Sequence, residues 1–184
     1  MTDRLGPIPF AHMSAAQQVA AQAVIDGPRG ALYGPFVPLI RSPELMQAAQ
    51  TMGEYLRYRS AIGTRLSELA ILVTARQWSQ QVEWAIHEPI ARQCGIAPAI
   101  IEAIAARRRP DGMAEDEALV HDFCLSLHQR QQVDDGLYAA ALERFGEHGV
   151  VDLIGLNGYY TFLAMVMNAG QTAVPVSVAP PLPD

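Results

Sequence analysis

Cysteine is scarce in this sequence. The 184 residues contain two, Cys94 and Cys124, which lie far apart and form no Cys-x-x-Cys pair. No run of cysteine and histidine has the spacing of a zinc site. The sequence therefore indicates neither a disulfide framework nor a structural metal, and we expect a protein of the cytoplasm.

Positive charge is scarce as well. Charged residues make up 17% of the chain, and the net charge at pH 7 is -6. A short basic run, Arg107 to Arg109, precedes Pro110 and is typical of a solvated helix end. This balance argues against nucleic acid as the main partner.

No uninterrupted apolar run is long enough to cross a membrane. The most apolar segment, residues 149–170, contains Asp152, Asn157 and Asn168. A spanning helix needs about 20 largely apolar residues and seldom tolerates such polar groups. The first residues also lack the apolar stretch of a secretory signal. We therefore predict a buried or interface helix here, and no membrane as a partner.

Hydrophobic residues, by contrast, are plentiful. They form 50% of the chain, with alanine and leucine more prominent than runs of alternating β-branched residues. The length fits one domain. We predict an all-α fold with an N-terminal helix and extended arm over residues 1–41, a helical domain over 42–170, and a Pro-rich tail over 171–184.

Capping and turn residues predict where the helices begin and end. Ser14 is placed to begin the first helix, Ser42 and Pro43 the second, Thr64 the third, and Ser79 the fourth. The predicted helices cover residues 14–27, 42–58, 64 onward, 80–94, 98–106, 114–130, 134–145 and 150–168. Residues 27–40 contain three Gly and three Pro and are predicted to form an extended arm.

Three ionisable side chains lie among apolar residues between positions 68 and 87. Glu68 falls near the start of one predicted helix, and Glu83 and His87 fall on the next. Glu83 and His87 are four residues apart and therefore share a helix face. A carboxylate beside histidine tunes its basicity near neutral pH, which makes the pair a candidate acid–base device. The same spacing is equally typical of an exposed ion pair.

The spacing of these residues resembles that of a known family. Glu68 is followed after eleven residues by Gln80, after two more by Glu83, and after three more by His87. The segments RLSELAILVTARQW and EWAIHEPIARQCGI, and the upstream GPFVPLIRSPELMQAAQTMGEYLRYRS, are similar to the carboxymuconolactone decarboxylase family, whose relatives include the alkylhydroperoxidase D proteins. In the peroxidase branch, cysteines stand at the positions of Gln80 and Glu83. The decarboxylase-like branch lacks that pair.

This resemblance implies an oligomeric, alkylhydroperoxidase D-like helical bundle and a cofactor-free enzyme acting on a small carboxylated lactone or related ring compound. It implies that Glu68, Glu83 and His87 converge as catalytic groups. A protonated His87 would deliver a proton to carbon after carbon dioxide leaves, with Glu68 or Glu83 orienting it.

Further residues are predicted to bind the substrate. Gln80 and Trp84 would neighbour the three catalytic groups, with Trp84 as an apolar wall. A substrate carboxylate would also need a cation, for which Arg76 and Arg65 are nearest in sequence. Trp84 is also typical of a core position, and Gln80 of a surface helix start. Tyr159 and Tyr160 are predicted to be structural, with the lining of a pocket as the alternative.

Other functions compete with this one. Thiol peroxidase activity needs a vicinal dithiol, which the chain lacks, so it is excluded. Two carboxylates and a histidine can hold a divalent metal, but the resemblance implies none. A non-catalytic helical oligomer that binds a small molecule or a protein is the main alternative. Members of the family form homo-oligomers, and a dimer, trimer or hexamer is expected.

Overall fold

The computed structural model describes residues 3–175 and 180–183, and within these ranges the regular structure is helical, without a β-strand. The all-α prediction is confirmed. A 3-10 turn at Phe10–His12 precedes the helices, which are α1 (Ala15–Asp26), α2 (Phe36–Leu39), α3 (Pro43–Tyr58), α4 (Thr64–Gln77), α5 (Gln81–Gln93), α6 (Pro98–Ala105), α7 (Glu115–Arg130) and α8 (Asp135–Gly170).

Helix α4 lies at the centre of the bundle. It packs against α3, α5, α6, α7 and α8. Every residue from 66 to 76 is buried, whereas a surface helix would expose one face. Glu68 belongs to this stretch and is 1% exposed, so its carboxylate lies in the interior.

Helix α5 begins differently from the prediction. Its N-cap is Gln80, whose side-chain oxygen accepts a hydrogen bond from the backbone N–H of Val82 at 2.6 Å. Ser79 has a φ of 47°, and a left-handed backbone cannot serve as an N-cap, which needs an extended one. The prediction that Ser79 caps this helix is therefore wrong. After α5, Gly95 has a φ of 93° and provides the predicted left-handed stop.

The arm, residues 27–40, is partly helical rather than extended throughout. It contains α2, in which Phe36 and Leu39 are buried. Packing of α2 on α3 and α8 outweighs the Gly and Pro content that predicted an irregular segment. Within the arm, Gly34 lies against α5, because a Cβ at this position would be 3.4 Å from Ile86 Cδ1. The arm therefore covers part of the bundle.

Part of the predicted tail is docked on α5. The Gln81 side chain donates to the carbonyl of Leu182 at 3.0 Å and accepts from its N–H at 2.9 Å. Leu182 is 4% exposed. Residues 176–179 and 184, which also belong to the predicted tail, lie outside the described residues.

Helix α8 joins two segments that were predicted as separate helices. The break between them is at Gly146, where φ is 66° and ψ is 175°, a conformation that suits glycine. By length and composition α8 would be able to cross a membrane, but 56% of its most apolar window is buried inside the molecule. The buried core helix of a soluble protein can have the same length and apolar composition, so these two properties are weak evidence for a membrane span.

A buried carboxylate ties the α3–α4 connection to α8. Asp152 is 4% exposed and accepts hydrogen bonds from the Tyr55 hydroxyl at 2.9 Å, the Ser60 hydroxyl at 3.1 Å and the Ala61 N–H at 2.7 Å. Asp152→Ala is expected to lower the free energy of unfolding by about 2 kcal/mol, because these donors lose a buried acceptor. Urea unfolding measures the loss, with exposed Asp111→Ala as the control. Equal stability of the two variants would contradict the prediction.

Candidate active site

Glu68 of α4 and Glu83 and His87 of α5 meet in the interior, and we refer to these three residues as the acid–base cluster. His87 Nδ1 is 2.6 Å from Glu68 Oε2, and His87 Nε2 is 3.3 Å from Glu83 Oε2. The three residues are 1%, 2% and 3% exposed in chain order. Both ring nitrogens therefore face carboxylates, and a histidine can donate to two acceptors at once only when it is protonated.

The environment favours that protonated form. Burial alone would lower the pKa of His87, but the charge and hydrogen bond of Glu68, with those of Glu83, outweigh it and raise the pKa from 6.5 to about 9. At neutral pH, His87 therefore carries a proton between two carboxylates.

Arg57 of α3 and Tyr160 of α8 complete the immediate surroundings. Arg57 Nε is 3.8 Å from Glu68 Oε1, so the two carboxylates are matched by two cations when His87 is protonated. The Tyr160 ring packs edge-on against His87, with ring centroids 5.3 Å apart. Burial, with the nearby charges of Glu83 and Glu68, raises the pKa of Tyr160 well above its usual range. Sequence reasoning missed Arg57, since no local signal sets it apart from nearby arginines.

A second set of polar atoms lies next to the acid–base cluster. Tyr159 packs edge-on against Tyr160, with ring centroids 5.2 Å apart. A Cβ added at Gly53 would lie 2.1 Å from Tyr159 Oη and 2.8 Å from Arg29 Nη2, so these two polar atoms converge on one point. Within residues 3–175 and 180–183, neither atom has a hydrogen-bond partner, and Glu83 Oε1 has none either.

The two arginines predicted to bind a substrate carboxylate have partners elsewhere. Arg76 is buried near the C-terminal end of α4, and its Nη1 donates to the Ser79 hydroxyl at 3.2 Å. Arg65 pairs with Asp116 and Glu117 of α7. The arginine that accompanies the acid–base cluster is instead Arg57.

Trp84 lies on α5 and Gln80 directly before it, and both residues, predicted as neighbours of the catalytic groups, are buried. Trp84 is 2% exposed and belongs to the hydrophobic core. Gln80 uses its side chain to cap α5 and to donate to Asn168 Oδ1 of α8 at 2.7 Å. The structure thus ties Gln80 to the junction of two helices rather than to His87.

In the part of the chain that the structure describes, no group of three or more His, Cys, Asp or Glu side chains is arranged to hold a metal ion. In the acid–base cluster, His87 directs one ring nitrogen at each carboxylate.

The arm covers the site from outside. Tyr33 lies within hydrogen-bonding reach of Arg57, and Arg29 Nε donates to Gln50 Oε1 of α3 at 2.7 Å. With the arm in this position His87 is 3% exposed.

Comparison with known proteins identifies the fold. No protein-family model and no curated protein matches the chain. A solved structure described as an alkylhydroperoxidase AhpD core, an uncharacterized peroxidase-related protein from Ralstonia eutropha JMP134, matches with a TM-score of 0.77 at 16% sequence identity. The match covers 95% of this chain and 94% of that chain. At this identity the likeness concerns the fold, and the chain therefore has the alkylhydroperoxidase D-like helical fold.

Proposed function

We propose that this protein is a cofactor-free enzyme of the carboxymuconolactone decarboxylase type. Its substrate would be a small carboxylated lactone or a related ring compound. The observation that supports the proposal is that His87 lies between two buried carboxylates, which raise its pKa to about 9. An exposed pair of a histidine and a carboxylate contributes little to stability. A buried histidine with a raised pKa, by contrast, suits acid–base catalysis.

The two contacts of His87 suggest different roles for the carboxylates. The shorter one, 2.6 Å to Glu68, fixes the ring through Nδ1. The longer one, 3.3 Å to Glu83, leaves the proton on Nε2 easier to transfer. When the carboxylate of the substrate leaves as carbon dioxide, the electron pair of the broken bond is delocalised into the ring as an enolate. His87 Nε2 donates its proton to a carbon of that enolate and later regains one from water.

We do not propose peroxidase activity for this chain, although the similar solved structure is described as peroxidase-related. Thiol peroxidase chemistry needs a reactive thiolate and a second cysteine beside it. Gln80 and Glu83 stand where that pair would be. Burial raises the pKa of Cys124 to about 12, and burial also raises the pKa of Cys94, so neither thiol is poised to ionise.

Turnover of a panel of carboxylated muconolactones tests the proposal. Substrate loss is followed by ultraviolet absorbance and carbon dioxide release is measured in parallel, with no cofactor added. We expect one carbon dioxide per substrate consumed and, in heavy water, one deuterium bound to carbon in each product molecule. If no member of the panel is consumed, the lactone-acid substrate class is wrong and the non-catalytic alternative gains support.

A homo-oligomer is also proposed, with an exposed face of α8 as the contact. Val151, Ile154 and Met165 are 65%, 45% and 48% exposed, and their spacing places them on one side of the helix. Met165→Glu is expected to reduce the molar mass measured by light scattering. Val19→Glu, at a 63% exposed position on α1, is the matched control. A monomeric wild-type protein would contradict the oligomer.

A further inference from the structure

We propose that the basic run from Arg107 to Arg109 and His121 form a phosphate-binding site, which holds the phosphate group of a small phosphorylated compound. The site lies where the connection between α6 and α7 meets α4 and α7. None of its residues belongs to the acid–base cluster, so the inference is independent of the decarboxylase proposal. It gives the basic run a role beyond that of a solvated helix end.

The first argument is a small cavity with a basic lining. Its volume is about 80 Å³, which is room for a few water molecules or for one tetrahedral anion. The three arginines and His121 line it, and no Asp or Glu of the described residues does. The chain as a whole has 13 basic residues, Lys and Arg together, against 19 acidic ones. This concentration of positive charge around one cavity favours an anion.

The second argument is that two of the three guanidinium groups lack a carboxylate partner. Arg109 pairs with Asp122, with 2.8 Å between Nη2 and Oδ2. In the part of the chain that the structure describes, neither Arg107 nor Arg108 forms an ion pair. A phosphate dianion would supply two negative charges and several acceptor oxygens to these two side chains. Charge-assisted hydrogen bonds of arginine to phosphate are among the stronger ones in proteins.

The third argument is that Arg107 occupies a backbone position where glycine is usual. Helix α6 ends with the N–H of Arg107 bonded to the Ile104 carbonyl and the N–H of Arg108 bonded to the Ala103 carbonyl, both at 2.9 Å. At the left-handed position of this motif, where glycine is preferred, Arg107 has a φ of 55°. Its Nη2 donates to the Ser79 hydroxyl at 2.9 Å, which fixes the guanidinium. An arginine held in this strained conformation indicates that its side chain has a use.

The fourth argument is that Asp122 of α7 holds two of the lining groups in place. It accepts hydrogen bonds from Arg109 Nε at 3.1 Å and Arg109 Nη2 at 2.8 Å, and its Oδ1 is 2.8 Å from His121 Nδ1. His121 is 4% exposed, so its ring is packed in a fixed orientation. When the ring is protonated, Nε2 can donate to an anion as well. Groups positioned in advance bind a ligand with little further loss of side-chain freedom.

A second cavity next to the first accounts for the rest of the ligand. Its volume is about 390 Å³, within the range of small-molecule sites. Arg109, Leu125 and Gln129 line both cavities, so the two adjoin. The larger one is also lined by Leu137 and by polar residues of α7. The smaller cavity would therefore hold the phosphate, and the larger one the organic part of the compound.

Calorimetric titration of the full chain with three probes tests the site. The probes are phenyl phosphate, inorganic phosphate and acetate, at about pH 7.5, where a phosphate monoester is a dianion. We expect one phenyl phosphate per chain, bound about tenfold more tightly than inorganic phosphate, because its ring gains apolar contact in the larger cavity. Acetate should bind about tenfold more weakly than inorganic phosphate, because it carries a single charge.

Substitutions of single arginines assign this binding to the smaller cavity. Arg107→Gln and Arg108→Gln should each weaken the binding of phenyl phosphate about tenfold, since each removes a charged donor. Arg107→Gly also removes the guanidinium but keeps the left-handed turn, so it should fold and bind as weakly as Arg107→Gln. Arg59→Gln is the matched control, because it removes an exposed arginine that lines neither cavity.

Three results would overturn the inference or part of it. Absence of phosphate binding in wild type, or equal weakening by Arg59→Gln and Arg107→Gln, would overturn the site. Acetate bound as tightly as inorganic phosphate would overturn the assignment to phosphate. Phenyl phosphate bound no more tightly than inorganic phosphate would overturn the phosphorylated compound and assign the site to the inorganic anion.

Discussion

Replacing His87 with glutamine is expected to lower the turnover number by about a hundredfold to ten-thousandfold, the range that general acid–base catalysis contributes. Glutamine has a similar length and can donate a hydrogen bond to one carboxylate, but it cannot transfer a proton at neutral pH. The ultraviolet assay on the consumed muconolactone measures the loss. His12→Gln is the control, because His12 is exposed and lies in the 3-10 turn at Phe10–His12.

Folding of the variant must be verified, because removing the cation leaves two buried carboxylates close together, which is strongly destabilising. Glu83→Gln provides the second variant. It removes one of these charges and retains the 2.6 Å contact between His87 Nδ1 and Glu68 Oε2. We expect it to fold and to lose turnover as well, since Glu83 faces the transferable proton on Nε2. Wild-type turnover in a folded His87→Gln would remove His87 from the mechanism.

The free energy of unfolding is expected to fall by about 3 kcal/mol as the pH rises from about 6.5 to about 9. The pKa of His87 is about 9 in the folded protein and 6.5 without the fold. A group whose pKa is raised by folding stabilises the folded state fully when the pH is below its pKa in the unfolded chain. That stabilisation is lost as the pH rises through its pKa in the folded protein. The gain that Glu68 and Glu83 give to protonated His87 therefore disappears in alkaline solution.

Urea unfolding across this pH range measures the effect. Glu68→Gln should flatten the dependence, because the charge and hydrogen bond of Glu68 make the largest favourable contribution to the raised pKa. His12→Gln should keep the wild-type slope, since it leaves the acid–base cluster intact. A wild-type protein whose stability does not change between these pH values would show that His87 is not held in the protonated form.

The parts of the fold that were predictable are those with local causes. Ser14 caps α1 through a capping box, Thr64 begins α4, and Gly95 ends α5 in a left-handed conformation. Each depends on a few neighbouring residues, which the sequence displays directly. Ser79 failed as a cap because the sharp turn between α4 and α5 gives it a backbone that only the tertiary structure determines.

The cations of the site were not predictable in the same way. Sequence proximity pointed to Arg76, but eight residues along a helix correspond to about 12 Å, and Arg76 therefore lies far along α4 from Glu68. Arg57 and Arg29 come from α3 and from the arm, and they reach the interior only because these segments pack over α4 and α5. Such contacts depend on how helices are arranged in space, which periodicity and spacing do not encode.

The complete enclosure of α4 bears on how this sequence can vary. In most helices a saturation mutagenesis experiment finds tolerant positions at every third or fourth residue, where side chains face water. Residues 66–76 have no such face. We expect every position in this range to tolerate substitution poorly. Larger side chains at Ala70 and Ala75 should be as poorly tolerated as truncation of the large buried residues. Sequence drift in this protein is therefore expected to accumulate outside the helix that carries Glu68.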